Sequence, residues 1–217
     1  LYHYFRNKEE ILLGCYQIPL VPTRSAVDEE GAVQAAAGFG GPVVLKAEAA
    51  GLVHKTEAGA VKLGLHGEAE VRAAYEELSA AFGARLTGVQ VEPMLSGGVE
   101  VLVGVVQEPV FGPLVVFGLG GVATEVLGDH AARLTPLTDA DADNLIHSVH
   151  AAPLLFGHRG TSPVDTAALA DVLLRVSRLA SDLPEVAELD LNPVIATAAG
   201  ARAVDARIRV TPAQPRD

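Results

Sequence analysis

The sequence predicts an α+β fold arranged as two lobes, and three observations carry that expectation. Apolar residues make up 49% of the 217 positions, enough to bury a sizeable core in one large domain or two small lobes. Helical and strand-like segments follow one another without the strict alternation that builds a doubly wound parallel sheet. Pro93, Gly97 and Gly98 punctuate the stretch from Glu92 to Gly98, where a boundary between lobes fits.

The elements follow in order. LYHYFRNKEEILL reads as an amphipathic leader helix, with Tyr2, Phe5, Ile11 and Leu12 as its packing residues. VDEEGAVQAAAGFGGPVVLKAEA reads as helix, turn and strand: Asp28 is the N-cap, Gly40 and Gly41 end the helix, and Val43 to Leu45 open a buried strand. AAGLVHKTEAGA has glycines at 51 and 59 and no period, so a loop is expected. AVKLGL is a short strand, and EAEVRAAYEELSAAFG a helix with Val71, Ala74, Tyr75, Leu78 and Phe82 on its apolar stripe. TGVQVEPML, GGVEVLVGVVQ and PLVVFGLGG read as strands, the last running into a glycine-rich turn. ADADNLIHSVH and DTAALADVLLRVSRLASDL read as helices. EVAELDLNPVIA and ARAVDARIRV close the fold as two strands around a tight turn near Ala198 to Gly200. The expected division is a leader over 1–16, lobes over 17–91 and 92–210, and a disordered tail over 211–217.

Charge narrows the function classes. A net charge of −11 argues against nucleic acid or an anionic membrane as partner, so an anionic ligand must meet local positive charge. One cysteine, Cys15, allows no internal disulfide, and a reducing cytoplasm fits. No run of 18 apolar residues and no signal peptide is seen. The chain opens on Leu1 rather than Met, the start expected of a fragment, so targeting signals upstream stay open.

Arginine supplies 12 of the 16 basic residues, yet three of the four lysines, Lys46, Lys55 and Lys62, cluster around the glycine-containing loop. A lysine is a compact charge suited to a phosphate oxygen. Lys46 ends an apolar strand in this reading; it either reaches into a cleft or is a solvated strand-end lysine, and Lys62 fits the second description. His54, in the loop, either passes a phosphoryl group or is merely solvated. His147 and His150 share a helix without an evident partner and read as surface or packing residues. Alternation along the last two strands puts Glu188, Asp190 and Asn192 on one face, with Leu189 and Leu191 behind. It puts Val204, Ala206, Ile208 and Val210 on the apolar face of the next strand and Asp205 and Arg207 on its polar face. A tight hairpin sets Asn192 opposite Asp205. Oxygen donors of this kind suit Mg²⁺; the alternative is an ordinary polar face on which Arg207 neutralises the acids. Gly118, Gly120 and Gly121 do not form a Walker-type loop and make either a phosphate approach or a turn. Arg133 either stabilises a transferring phosphoryl group or pairs with Asp129.

In this order, the strings IPLVPTRSA, GGPVVLKAEAAGLVHKTEAGAVKLGL, GGVEVLVGVVQEPVFGPLVVFGLGG, ARLTPL, PLLFGHRG and ELDLNPVIA…AVDARI resemble the ATP-grasp domain of NDP-forming acyl-CoA synthetases, relatives of the succinyl-CoA synthetase β subunit. The resemblance implies an ATP-grasp fold with a nucleotide cleft between its lobes, ATP or ADP and Mg²⁺ as ligands, and a ligase reaction. That reaction is acyl-CoA + ADP + phosphate giving acid + CoA + ATP by way of a phosphohistidine. It implies Lys46, with Lys55 near it, on the phosphates; Glu92 to Leu95, with Met94, as the adenine hinge; and Glu100 on the ribose. It implies Asn192 and Asp205, with Asp190 close by, on magnesium, and His54 and Arg133 at the transferred phosphate. Glu92-Pro93 stands where glutamine and glutamate are frequent, which puts a side-chain contact to adenine in doubt. CoA, acyl group and main phosphohistidine belong to a partner subunit or domain. A regulatory grasp domain associated with a protein acetyltransferase is the alternative. Residues 1–13 resemble the recognition-helix region of TetR-type regulators, without the two helices that would complete a DNA-binding fold.

Overall fold

The computed structural model describes residues 8–50, 59–120 and 128–211. It divides into two compact units, one formed by Val21–Ser96 and the other by the chain up to Leu20 together with the chain from Gly97 onward. The first helix, α1 (Lys8–Cys15), belongs to the second of these.

The Val21–Ser96 unit contains β1 (Arg24–Ala26), α2 (Glu29–Ala37), β2 (Val43–Ala49), β3 (Val61–Leu65), α3 (Gly67–Phe82) and β4 (Leu86–Pro93). Its four strands form an antiparallel sheet in the order β1-β4-β2-β3. Asp28 caps α2 as expected: its backbone is extended and its carboxylate accepts from the Gly31 N–H at 2.7 Å. Replacing Asp28 by Ala should lower stability by about 1 kcal/mol, read from the urea midpoint at unchanged slope. The helix ends at Ala37, before the expected Gly40 and Gly41. The cause is Arg24: its guanidinium donates to the Ala35 carbonyl at 3.1 Å, satisfying one of the orphan acceptors of the last turn, and lies over the Phe39 ring at 4.6 Å. A Cβ at position 38 would fall 1.6 Å from Arg24 Nη1, so Gly38 admits this cap.

On α3, Val71, Ala74, Leu78 and Phe82 are buried, and Tyr75 is half-buried with its hydroxyl donating to the Val27 carbonyl at 3.2 Å. Arg72 ties α3 to α2 through Glu29 and Glu30 at 2.6 and 2.7 Å, and pairs with Glu68 one turn back on its own helix at 2.8 Å. Lys62 pairs with Glu77 on the surface, in keeping with its solvated reading. The helices cover one sheet face, where Val43, Leu45, Ala47, Val89 and Val91 pack. Period-two alternation therefore sends Val44, Lys46, Glu48, Gln90 and Glu92 to the opposite face.

The second unit adds β5 (Val99–Glu108), β6 (Gly112–Leu119), β7 (His130–Leu134), α4 (Asp139–Ser148), α5 (Thr166–Asp182), β8 (Val186–Thr197), β9 (Gly200–Ala203) and β10 (Ala206–Val210). Its antiparallel sheet runs β10-β8-β5-β6-β7, with β9 also on β8. Val101, Val103, Val105, Val115, Phe117, Leu189 and Leu191 share a core with Leu145, Ile146, Leu169, Leu173, Val176 and Leu179 of α4 and α5. Thr138 and Asp141 form a capping box at the start of α4. The leader is part of this unit. Leu13 is fully buried in the same core with Ile18, and Arg175 of α5 donates to the Tyr16 carbonyl at 3.3 Å and to Gln17 at 3.0 Å. Ile11 and Leu12 are only half-buried; Tyr2 and Phe5 lie outside the described residues.

The closing hairpin turns at Ala198-Ala199, flanked by the Thr197–Gly200 pair. The expected last strand is two, β9 and β10, interrupted at Val204 and Asp205. Val210, expected on the apolar face, is 64% exposed, because the register shifts between Arg209 and Val210. The 51–58 segment, which carries His54 and Lys55, the residue Gly121 and the 212–217 part of the expected tail lie outside the described residues. Among the described residues no helix is long and apolar enough to cross a membrane.

Candidate functional site

Lys46 lies in the middle of β2, not at its end, and is 7% exposed. The solvated strand-end reading is therefore overturned: β2 continues to Ala49 because it pairs with β4 along its whole length. In that pairing Lys46 stands across from Gln90 and Val44 across from Glu92. Lys46 and Glu92 are thus diagonal neighbours on the face away from the helices. Lys46 Nζ lies 2.7 Å from Glu92 Oε2, with the two side chains 8% and 5% exposed. The other carboxylate oxygen, Oε1, accepts from the Thr23 hydroxyl at 3.2 Å. Gln90 donates to Glu48 at 2.7 Å beside them. Thr23 escapes a motif reading because it sits in an irregular segment before β1; the parity of β2 and β4 is the signal that pairs Lys46 with Glu92.

The segment expected to form the hinge follows at the end of β4. The Met94 N–H donates to the Pro42 carbonyl at 2.8 Å, extending the strand pairing, while its side chain is 37% exposed. Pro93 has no N–H, so Leu95, half-buried, carries the next amide in line. A cavity lined by Val33, Gly41, Leu65, His66 and Glu68 contains none of the predicted site residues.

The second group sits on β8 and its edge. Asp190 pairs with Arg207 and Leu191 with Ala206, while further along Val194 pairs with Ala203. This register brings Asn192 to Asp205, whose carbonyl accepts the Asn192 N–H at 3.3 Å. Arg207 Nε lies 3.8 Å from Asp205 Oδ2, so Arg207 does neutralise part of this face. Alternation along β8 changes phase within it. Two residues, Asn192 and Pro193, oppose Leu102 alone, so Leu189 and Leu191 before the bulge and Val194 and Ala196 after it all reach the core.

The donor set fits a hard cation. Asn192 and Asp205 offer an amide oxygen and a carboxylate, with the Asp190 carboxylate on the adjoining pair. Among the described residues no group of three or more His, Cys, Asp and Glu could hold a metal. A sparse protein set of this kind is what Mg²⁺ accepts when phosphates and water complete its shell. Burial pushes the Asp190 carboxyl up; Arg207 opposes the shift, and Asp205 and Glu188 add to it. Excess negative charge on this face is what a bound cation offsets.

A measurable consequence follows from the sign. The folded chain holds the Asp190 proton to higher pH than the unfolded chain, so stability falls as pH rises through the ordinary carboxylate range and stays reduced above it. Asp190→Asn should therefore unfold at higher denaturant than the parent at neutral pH. The gap should close as pH falls toward about 4, as followed by urea melts at several pH values.

Other predicted residues stand apart. Glu100 is exposed on β5, and its carbonyl accepts the Gly120 N–H at 2.7 Å. A Cβ on Gly120 would come 3.0 Å from the Glu100 Cβ, so glycine allows this approach. Arg133 pairs across from Val115, which pairs with Val105, and so lies on the helix-bearing face. Asp190 stands across from Gly104, on the opposite face. The strand period thus separates Arg133 from the acidic group. Nor does Arg133 pair with Asp129; its guanidinium donates to its neighbour Ala132 at 3.0 Å. Asp129 instead accepts from the His150 N–H at 2.7 Å, the Ala151 N–H at 2.9 Å and His150 Nδ1 at 3.2 Å. Burial pushes the Asp129 carboxyl up, but these donors outweigh it and hold it below the usual range. His150 therefore has a partner that the sequence did not reveal, and it lies beyond α4, which ends at Ser148. His147 stacks on Phe156 at 4.5 Å.

Comparison with known proteins completes the picture. The ATP-grasp domain family model matches residues 6–210. That span takes in most of the regulator-like N-terminal segment, in keeping with the burial of Leu13. The chain is 41% identical over 202 residues to the β subunit of acetate–CoA ligase [ADP-forming] I from Pyrococcus furiosus, covering 91% of this chain and 87% of that one. It is 42% identical to acetate–CoA ligase [ADP-forming] I of Archaeoglobus fulgidus, covering 91% of this chain but 29% of that longer protein. Among solved structures, the Ca. Korarchaeum cryptofilum dinucleotide forming acetyl-coenzyme A synthetase 1, in complex with coenzyme A, Ca-AMPCP and HgCl+, superposes with a TM-score of 0.88 at 41% identity, covering 94% of this chain and 91% of that one. These relatives share its α+β architecture of helices on antiparallel sheets, and the chain belongs to the ATP-grasp domain family.

Proposed function

We propose that the chain is the nucleotide-handling part of an ADP-forming acyl-CoA synthetase, converting acyl-CoA, ADP and phosphate to acid, CoA and ATP together with a partner. The observation that carries this reading is its likeness to the P. furiosus β subunit over most of both chains. The partner is a subunit or domain carrying the CoA site and a phosphohistidine. The longer A. fulgidus ligase, of which this chain matches 29%, supports the same division within one polypeptide.

In this reading Lys46 and Lys55 donate to the nucleotide phosphates. The adenine edge meets the backbone at Met94 and Leu95, and because the Met94 N–H is engaged by Pro42, the Leu95 amide is the donor. Glu92 faces Lys46 rather than the base. Glu100 accepts from the ribose hydroxyls. Asn192 and Asp205, with Asp190, hold Mg²⁺, which when bound supplies the positive charge that gathers phosphate oxygens and offsets charge during transfer. His54 takes the phosphoryl group as the partner's N–P bond breaks and releases it to the terminal phosphate oxygen of ADP. Positioning and charge neutralisation are the contributions of this chain. Arg133, on the other face of its sheet, has no part in this scheme.

The test is reconstitution. Calorimetry should show MgADP binding by the chain alone. CoA release from acetyl-CoA, dependent on ADP and phosphate, should appear only when a CoA-binding subunit is added. Absence of nucleotide binding, or full turnover by the chain alone, would overturn the reading.

A further inference from the structure

We infer that Thr23, acting through Glu92, is a positioning residue for Lys46, and that the three form a relay which fixes the lysine ammonium for a nucleotide phosphate. The inference rests on the nucleotide-binding reading above and adds residues and an order of action to it. Both carboxylate oxygens of Glu92 are engaged: Oε2 by Lys46 Nζ at 2.7 Å and Oε1 by the Thr23 hydroxyl at 3.2 Å. The Val21 carbonyl, 3.1 Å from the same hydroxyl, is a second acceptor for its single proton, so Thr23 shares that proton between Glu92 and the backbone before β1.

A carboxylate held at one oxygen alone can turn about its last torsion and carry a bound ammonium with it. Held at both, it has one orientation. Glu92 is 4% exposed and Lys46 is 7% exposed, so water has little access to substitute for a lost partner. An ammonium has three hydrogens, and donation to Glu92 leaves others for further acceptors. Glu92 thus sets where the charge sits. Neither Thr23 nor Glu92 touches the phosphate in this scheme; both act through Lys46.

The experiment has two readouts. In the reconstituted ligase, Thr23→Val, which keeps the shape and removes the hydroxyl, should lower kcat/KM for ADP by roughly tenfold, the scale expected for one hydrogen bond to a charged group. KM for acyl-CoA should stay as in the parent, the urea midpoint should fall because Glu92 Oε1 is left buried without its donor, and Thr23→Ser should restore both losses. In a Lys46→Gln background, which still offers Glu92 a donor, Thr23→Val should add almost nothing, because its effect runs through the lysine. Without any nucleotide, selective ¹⁵N-lysine labelling gives few signals to assign, since the chain has four lysines. The Lys46 side-chain resonance should move in Thr23→Val and return in Thr23→Ser. An unmoved Lys46 resonance, an unchanged kcat/KM in Thr23→Val, or a full extra loss in the Lys46→Gln background would overturn the relay. If the parent chain does not bind MgADP, the nucleotide reading falls first and the phosphate role of the relay falls with it. If the parent binds and only the Thr23 variants behave as the parent, the relay alone falls.

Discussion

Lys46→Met is expected to abolish measurable MgADP binding and to unfold at markedly lower denaturant. Two effects act together. The first is loss of the phosphate donor. The second is that Glu92, 4% exposed, keeps its charge inside the protein without its ammonium partner. Breaking a buried pair from one side costs about 3–5 kcal/mol, because the charge left behind is uncompensated. The two effects separate in the double variant Lys46→Met with Glu92→Gln. A neutral amide at position 92 can keep the Thr23 hydrogen bond while removing the stranded charge. The double variant should regain most of the lost stability but none of the nucleotide affinity. Recovery of both would mean that Lys46 serves the fold alone; binding that survives in Lys46→Met itself would remove it from the site.

Asp205→Ala is expected to weaken ADP binding in magnesium by on the order of a hundredfold, since metal-assisted charge stabilisation is worth several kcal/mol. Binding in the presence of a chelator should barely change. The free protein should not lose stability, because Asp205 sits at an interruption between strands and its charge adds to the burden on Asp190. Asn192→Ala should act in the same direction. Calorimetry with and without magnesium, beside a urea melt, distinguishes a metal ligand from a structural acid. Equal loss with and without the metal would place Asp205 elsewhere in the mechanism.

The two candidate groups differ in how far they could be read from sequence. Asn192 and Asp205 lie on adjacent strands joined by a short turn, and the parity of two strands with a two-residue loop predicts their register. Local hydrogen bonding therefore suffices. Lys46 and Glu92 lie on β2 and β4, with β3 and α3 between them in sequence. Each can be assigned a face from its neighbours, but which residue meets which depends on a register set by the packing of Val43, Leu45, Val89 and Val91 against two helices. Arg133 lies away from the acidic group for a related reason: the face it occupies is decided by Ala131 packing into the core two residues earlier.

From its own order of residues the chain determines an α+β architecture, most of its helices and strands, the Asp28 cap, the closing hairpin and the oxygen-donor character of the Asn192–Asp205 edge. These depend on periodicity, capping and turn chemistry, which act over a few residues. Only the tertiary structure decides that Arg24 ends α2, that the leader buries Leu13 in the core of the unit formed by the chain from Gly97, that β8 bulges at Asn192-Pro193, that the last strand divides, and that Lys46 pairs with Glu92, which accepts from Thr23. Each is a contact between segments distant in sequence, and its geometry is settled by close packing and by the need to pair every buried charge and polar group.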